Sequence, residues 1–107
     1  MLADEVRLQH MLDAARQAVA FIEERSREDL DTDTMLMLAI TRLLEIIGEA
    51  ARCISEKFKA DNPQIPWRQI SGLRNRLTHE YFDVDLDVIW EIVSQDLPPL
   101  ITQLEEI

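Results

Sequence analysis

Glycine occurs twice, proline four times and cysteine once in the 107 residues of this chain. So few turn formers exclude an all-β protein, which needs a turn every 8–12 residues or so. A single cysteine, Cys53, closes no internal disulfide and suits a reducing compartment. No stretch approaches the ~20 uninterrupted apolar residues of a membrane span. The first residues, MLADEVRLQHML, interleave charges with apolar side chains and lack the hydrophobic centre of a signal peptide. A cytoplasmic protein is the expectation. Also missing are a glycine-rich phosphate loop, a CxxC pair, HExxH and the Glu-x-x-His of di-iron bundles. Two histidines and one cysteine are too few soft ligands for a structural zinc site.

What is present is helical material. Apolar residues make up 47% and charged residues 30%, a globular balance, and the length fits one domain spanning residues 1–107. The formal charge is −10, which argues against a broad nucleic-acid surface. The charge is uneven, however. Between Arg52 and His79 stand six basic residues and two acids, a net of +4 that leaves −14 on the rest. An acidic body with one basic stretch fits a local anion site.

The spacing of Leu8, Met11, Leu12, Ala15, Val19 and Ile22 predicts a first helix from about Asp4 to Arg25. His10 sits there among charged residues and is expected to be exposed. A polar link, SREDLDTD, follows, with Thr32 or Asp33 as cap for a second helix. That helix, from Met35 to Ile54, is apolar on more than one side and is expected to be central. Gly48 inside it costs about 1 kcal/mol relative to Ala, which close approach of another helix would offset. Cys53 is expected to be a small core residue. Glu45 and Glu49 stand one turn apart, with Arg42 and Arg52 three residues outside them, so surface ion pairs are expected rather than a cation site. Residues 57–65 read as a turn around Asp61-Asn62-Pro63. Pro66 suits the first turn of a third helix that ends near Thr78–Tyr81. Asp83 or Asp85 can cap a fourth helix through Leu97. Pro98-Pro99 must kink or restart it, with Asp96 as cap of a last segment ending at Leu104. Trp67 and Trp90 are expected in the core. The sum is an all-α, up-and-down bundle of four to five helices.

Residues 74–81, Arg-Asn-Arg-Leu-Thr-His-Glu-Tyr, concentrate chemistry at the expected end of the third helix. Arginine binds phosphate through a planar fork and stays charged at any relevant pH. Histidine alone has an unperturbed pKa suited to both taking and giving a proton near neutrality. RNA carries its own nucleophile, the 2′-hydroxyl. Cleavage then needs a base, a cation for the crowded phosphorane and an acid for the leaving 5′-oxygen, and Arg74 with His79 can fill these roles. On a regular helix the two are five positions apart, about 140° around the axis, and converge poorly unless the helix ends there or a second subunit completes the site. Asn75, four before His79, could orient the imidazole, and Arg76 adds positive field. Equally, helix dipoles favour terminal Arg and His for stability alone, and Tyr81 by itself reads as a core-edge residue. Two other classes stay open: a non-catalytic module binding RNA or a nucleotide, and a dimerisation bundle whose basic stretch docks an acidic partner.

Arg74, His79 and Tyr81 form an Arg-x4-His-x-Tyr motif that resembles that of the HepT toxins, minimal HEPN-domain proteins. The likeness extends through LLEIIGEAAR (43–52), NPQIPW (62–67), RNRLTHEYFDVD (74–85) and VIWEIV (88–93), nearly the whole chain. The resemblance implies a HEPN-like helical bundle that forms a homodimer around a shared cleft. It implies a metal-independent, cofactor-free ribonuclease with Arg74 and His79 as catalytic residues. It further implies a partner, an MNT-type nucleotidyltransferase antitoxin, that attaches AMP to Tyr81 and blocks the site. Where the family often has Gly between the His and the Tyr, this chain has Glu80.

Overall fold

The computed structural model describes residues 3–80 and 83–107, with residues 78–80 described by their backbone. The fold is all-α. Helix α1 (Asp4–Phe21) lies along α3 (Thr34–Cys53), and the C-terminal helical run closes over both. Met11, Ala14, Ala15 and Ala18 are the buried face of α1, so three alanines let α3 approach closely. The last expected turn of α1 is not helical. The helix stops at Phe21, and Glu24 takes a left-handed φ of 61° that turns the chain.

The polar link contains a helical turn of its own, α2 (Asp29–Thr32), which drops Leu30 into the core. Asp29 accepts from the Ser26 backbone N–H at 2.7 Å, and that local bond starts the turn. Asp33, rather than Thr32, caps α3, accepting from the Leu36 N–H at 3.1 Å. Helix α3 is central, as its apolar content requires: Ile40, Leu44, Ile47 and Ala51 are fully buried. Cys53 is not a core residue. It is half-buried at the end of α3, its Sγ 3.8 Å from Glu49 Oε1, and Ile54 fills the core instead.

Part of the expected turn after Ile54 is helix α4 (Glu56–Asp61), capped by Ser55 Oγ, which accepts from the Phe58 N–H. Asn62 ends it. The Asn62 carbonyl accepts from Trp67 Nε1 at 2.9 Å, and Phe58 meets the Trp67 ring edge-on, 6.2 Å between centroids. Trp67 is thereby a core residue, while Trp90 is half-buried against the core. His10 is exposed.

The expected third helix is two short ones, α5 (Trp67–Ser71) and α6 (Leu73–Leu77), divided at Gly72. Helix α6 ends at Leu77. The chain then forms a strand, β1 (Thr78–Glu80), paired antiparallel with β2 (Asp83–Val84) in the register Thr78 to Val84 and Glu80 to Asp83. The Leu77 carbonyl accepts from the Asp85 N–H at 2.8 Å, closing the base of this hairpin. Tyr81 lies outside the described residues.

Asp85 caps α7 (Leu86–Glu91) through the Val88 N–H. The two prolines, expected to kink or restart the helix, fall in the first turn of a new α-helical segment. A π-helical segment, Ile92–Asp96, leads without interruption into α8 (Leu97–Glu105), which carries Pro98 and Pro99 in its first turn. Proline lacks an N–H and crowds the carbonyl four residues back, and the wider turn just before absorbs both defects. Asp96 makes no side-chain cap bond; its carboxylate pairs with Arg76 instead. Among the described residues no helix is long and apolar enough to cross a membrane.

Candidate functional site

Gly48 decides how the site is built. A Cβ there would stand 3.2 Å from the Ile70 carbonyl oxygen and 3.6 Å from Leu73 Cβ. The bare backbone therefore lets α5 and α6 lie directly on α3, the close approach that justifies a glycine in mid-helix. Beside this contact opens a polar cleft of about 620 Å³. Its α3 wall presents Arg42, Glu45, Glu49 and Arg52, and its other wall presents Ser71, Arg74 and Asn75.

Two of the four charges on α3 satisfy each other. Arg52 donates to Glu49 through Nη2 at 2.6 Å and Nε at 3.2 Å, a fork-to-carboxylate pair. These hydrogen bonds, and then the Arg52 charge, lower the Glu49 carboxyl pKa against the smaller opposing effect of burial. The same pairing raises that of Arg52. The second expected pair does not form: among the described residues Arg42 and Glu45 have no ion-pair partner. No three His, Cys, Asp or Glu side chains of the described residues converge on a common point.

Of the residues expected to carry chemistry, the structure brings Arg74 and Asn75 together in this cleft, both exposed on α6. Arg76 is elsewhere. It lines a separate, largely apolar cleft of about 380 Å³ between α6 and the π segment, its Nη1 3.5 Å from Asp96. His79 lies on β1, two residues past the end of α6. The 140° separation from Arg74 belongs to a continuous helix and does not apply, because the helix ends between them. For the same reason the helical i,i+4 relation between Asn75 and His79 is lost. By spacing alone Arg42 and Arg52 are ordinary surface charges; in the structure both, with Ser71, border the cleft that holds Arg74. The signal was the three- and four-residue spacing of Arg42, Glu45, Glu49 and Arg52, which puts all four on one strip of α3.

Comparison with known proteins gives the family. Residues 11–107 match the family model described as Ribonuclease HepT-like, and the chain belongs to that family. It is 40% identical over 100 residues to the probable ribonuclease HepT of Thermococcus cleftensis, covering 90% of this chain and 91% of that protein. It is 37% identical over 100 residues to a putative RNase of Caldanaerobacter subterraneus subsp. tengcongensis, covering 94% and 89%. A putative RNase of Methanocaldococcus jannaschii is 36% identical over 98 residues, covering 92% and 90%. No solved structure matches the chain.

Proposed function

We propose that the protein is a ribonuclease acting by 2′-hydroxyl attack, and the toxin component of a HEPN/MNT toxin–antitoxin pair in the cytoplasm. One observation carries the reading: α6 holds Arg74 and Asn75 in a polar cleft and ends just before the strand bearing His79. Family membership supports the reaction class. In the proposed step His79 takes the proton of an RNA 2′-hydroxyl, and that oxygen attacks the adjacent phosphorus. The P–O5′ bond breaks, the 5′-oxygen leaves with a proton from the imidazolium of a second copy or from water, and a 2′,3′-cyclic phosphate remains. Arg74 holds the phosphate and stabilises its developing charge, the kind of electrostatic contribution that mutation commonly reveals as a ~10²–10³-fold effect. Asn75 supports the phosphate. Arg76, held at the other cleft with Asp96, adds only distant positive field.

The nucleophile comes from the substrate, so Arg74 and His79 complete the reaction without a metal or cofactor. The protein acts as a homodimer whose two motifs share a cleft. Control comes from an MNT-type nucleotidyltransferase: the Tyr81 phenolic oxygen attacks the α-phosphate of ATP, pyrophosphate leaves, and AMP stays on the tyrosine. The added bulk and negative charge two residues from His79 repel RNA phosphate.

The test is RNA cleavage by purified protein in EDTA, with intact mass measured to establish the state of Tyr81. His79→Ala is expected to lower cleavage by ~10²–10⁴-fold with the helical spectrum unchanged. Equal cleavage by the variant removes His79 from the mechanism. Unmodified protein that binds RNA but leaves it intact turns the reading toward a binding module.

A further inference from the structure

Ser71, half-buried on α5, lines the polar cleft that holds Arg74 and also lines an adjoining cleft of about 480 Å³. Glu56, Lys59 and Ala60 of α4 wall the second cleft on one side, and Trp67 and Arg68 of α5 on the other. Trp67 fixes its shape. The bond from Trp67 Nε1 to the Asn62 carbonyl and the edge contact with Phe58 fasten α4 to the start of α5. Lys59 joins the two clefts a second time: its Nζ donates to the Arg52 carbonyl at 3.5 Å and pairs with Glu56 at 3.6 Å. Arg68 is left over. It is exposed, and its guanidinium has no hydrogen-bond or ion-pair partner among the described residues.

Charge separates these two clefts from the rest of an acidic chain. In the first, Arg42, Arg52 and Arg74 face Glu45 and Glu49; in the second, Lys59 and Arg68 face Glu56. Each keeps one positive charge in surplus. The cleft of Arg76 and Asp96 is balanced, and the whole chain carries −10. A strand of phosphates bound at Arg74 therefore finds its next cations across Ser71, and net repulsion from the rest of the chain. An unpaired arginine fork suits phosphate, and its place in a separate cleft from Arg74 gives it a different phosphate to hold.

We propose that Arg68 is a second phosphate subsite, which takes a backbone phosphate of single-stranded RNA beyond the one held at Arg74, the strand crossing at Ser71. Resting on the ribonuclease reading, the inference adds that substrate is gripped outside the bond that breaks. The contact is to backbone, so it sets the position of the strand and reads no sequence. Arg68 lies away from the reacting phosphate and holds ground state and transition state alike. Its loss therefore belongs in KM and not in kcat.

The experiment compares a dinucleoside monophosphate, which has no second phosphate to offer, with a longer unstructured RNA oligonucleotide. Wild type is expected to prefer the oligonucleotide in kcat/KM, and Arg68→Ala to lose much of that preference through a raised KM. Lys57→Ala is the control, an exposed cation paired with Asp61 at 3.1 Å outside both clefts, and is expected to keep the preference. Binding is read separately with the 2′-O-methyl form of the oligonucleotide, which lacks the nucleophile and stays intact. There Arg68→Ala is expected to flatten the plot of log affinity against log salt by about 0.7, the share of one single-strand phosphate. A preference unchanged in Arg68→Ala overturns the proposal, as does an equal loss in Lys57→Ala or a salt slope that does not move. Cleavage by wild type with both Arg68→Ala readouts unmoved leaves the ribonuclease reading standing and this subsite refuted. RNA left intact by wild type, with the salt slope flattened in Arg68→Ala, does the reverse.

Discussion

Asp4 accepts two hydrogen bonds from Ser55, from its backbone N–H at 2.9 Å and its hydroxyl at 2.6 Å. The same hydroxyl accepts from the Phe58 N–H at 3.2 Å, so one serine caps α4 and ties it to the first turn of α1, 51 positions away. The Ser55 hydroxyl bond, then its backbone bond, lower the Asp4 carboxyl from its ordinary value of 3.8. A carboxyl depressed in the folded state contributes stability above its unfolded pKa of about 3.9 and loses it as pH falls through the folded value. Asp4→Asn is therefore expected to melt below wild type at neutral pH, the gap closing in acid. Ser55→Ala removes the cap as well and is expected to cost about 1 kcal/mol. Thermal melts across acid pH check both; a gap that widens as pH falls contradicts the assignment.

This clasp could not be read from the sequence, and the reason applies to most of what was missed. Helices α1 and α3 follow from apolar spacing, and Gly48 announced its close contact because nothing local excuses a glycine in mid-helix. Asp33 and Asp85 cap where short polar side chains before apolar runs should cap. The misses depend on partners far along the chain. Leu30 turns a polar link into α2 because the core takes it, and Ser55 turns part of an expected loop into α4. Within the motif, the order of Arg74, Asn75 and Arg76 is plain, but which cleft each faces depends on where α6 begins and ends. Gly72 sets its start and the strand after Leu77 its end, and neither has a periodic signal.

At Gly48 two effects oppose each other. Alanine in a helix interior is better than glycine by about 1 kcal/mol. Its Cβ, however, would press on the Ile70 carbonyl at 3.2 Å, and backbone gives way only if α5 moves. Gly48→Ala is expected to lie within about 1 kcal/mol of wild type. Gly48→Leu gains nearly the same propensity, but its longer side chain must displace α5, and it is expected to cost ~1–3 kcal/mol by overpacking. Because α5 and α6 move together, Gly48→Leu is also expected to reduce RNA cleavage in the fraction that remains folded. Denaturant titration beside a cleavage assay separates the two effects.

Glu24 takes a φ of 61° where the chain leaves α1. The left-handed region costs a residue with a Cβ roughly 1–2 kcal/mol, whereas glycine enters it freely. Glycine's larger unfolded-state entropy takes back part of that gain. Glu24→Gly is expected to stabilise by up to about 1 kcal/mol and Glu24→Val to destabilise. If Glu24→Gly melts lower than wild type, the strain at this turn is not what limits it.

Arg74 and Arg76 are two residues apart on one helix, yet they serve different clefts. Arg74 borders the polar cleft of α3, and Arg76 reaches across to Asp96 at 3.5 Å. Both are arginines, so a reaction that needed only a cation near the motif would suffer similarly from losing either one. The geometry says otherwise. Arg74→Ala is expected to reduce cleavage by ~10²–10³-fold, the loss typical of one transition-state donor. Arg76→Ala is expected to change stability and activity by less than about 1 kcal/mol each, as for other exposed ion pairs. Arg74→Lys keeps the charge and removes the fork, so it should recover only part of the loss if two parallel hydrogen bonds grip the phosphate. Full recovery with lysine reduces Arg74 to a point charge. Equal losses for Arg74→Ala and Arg76→Ala move the reacting phosphate to a position between the clefts.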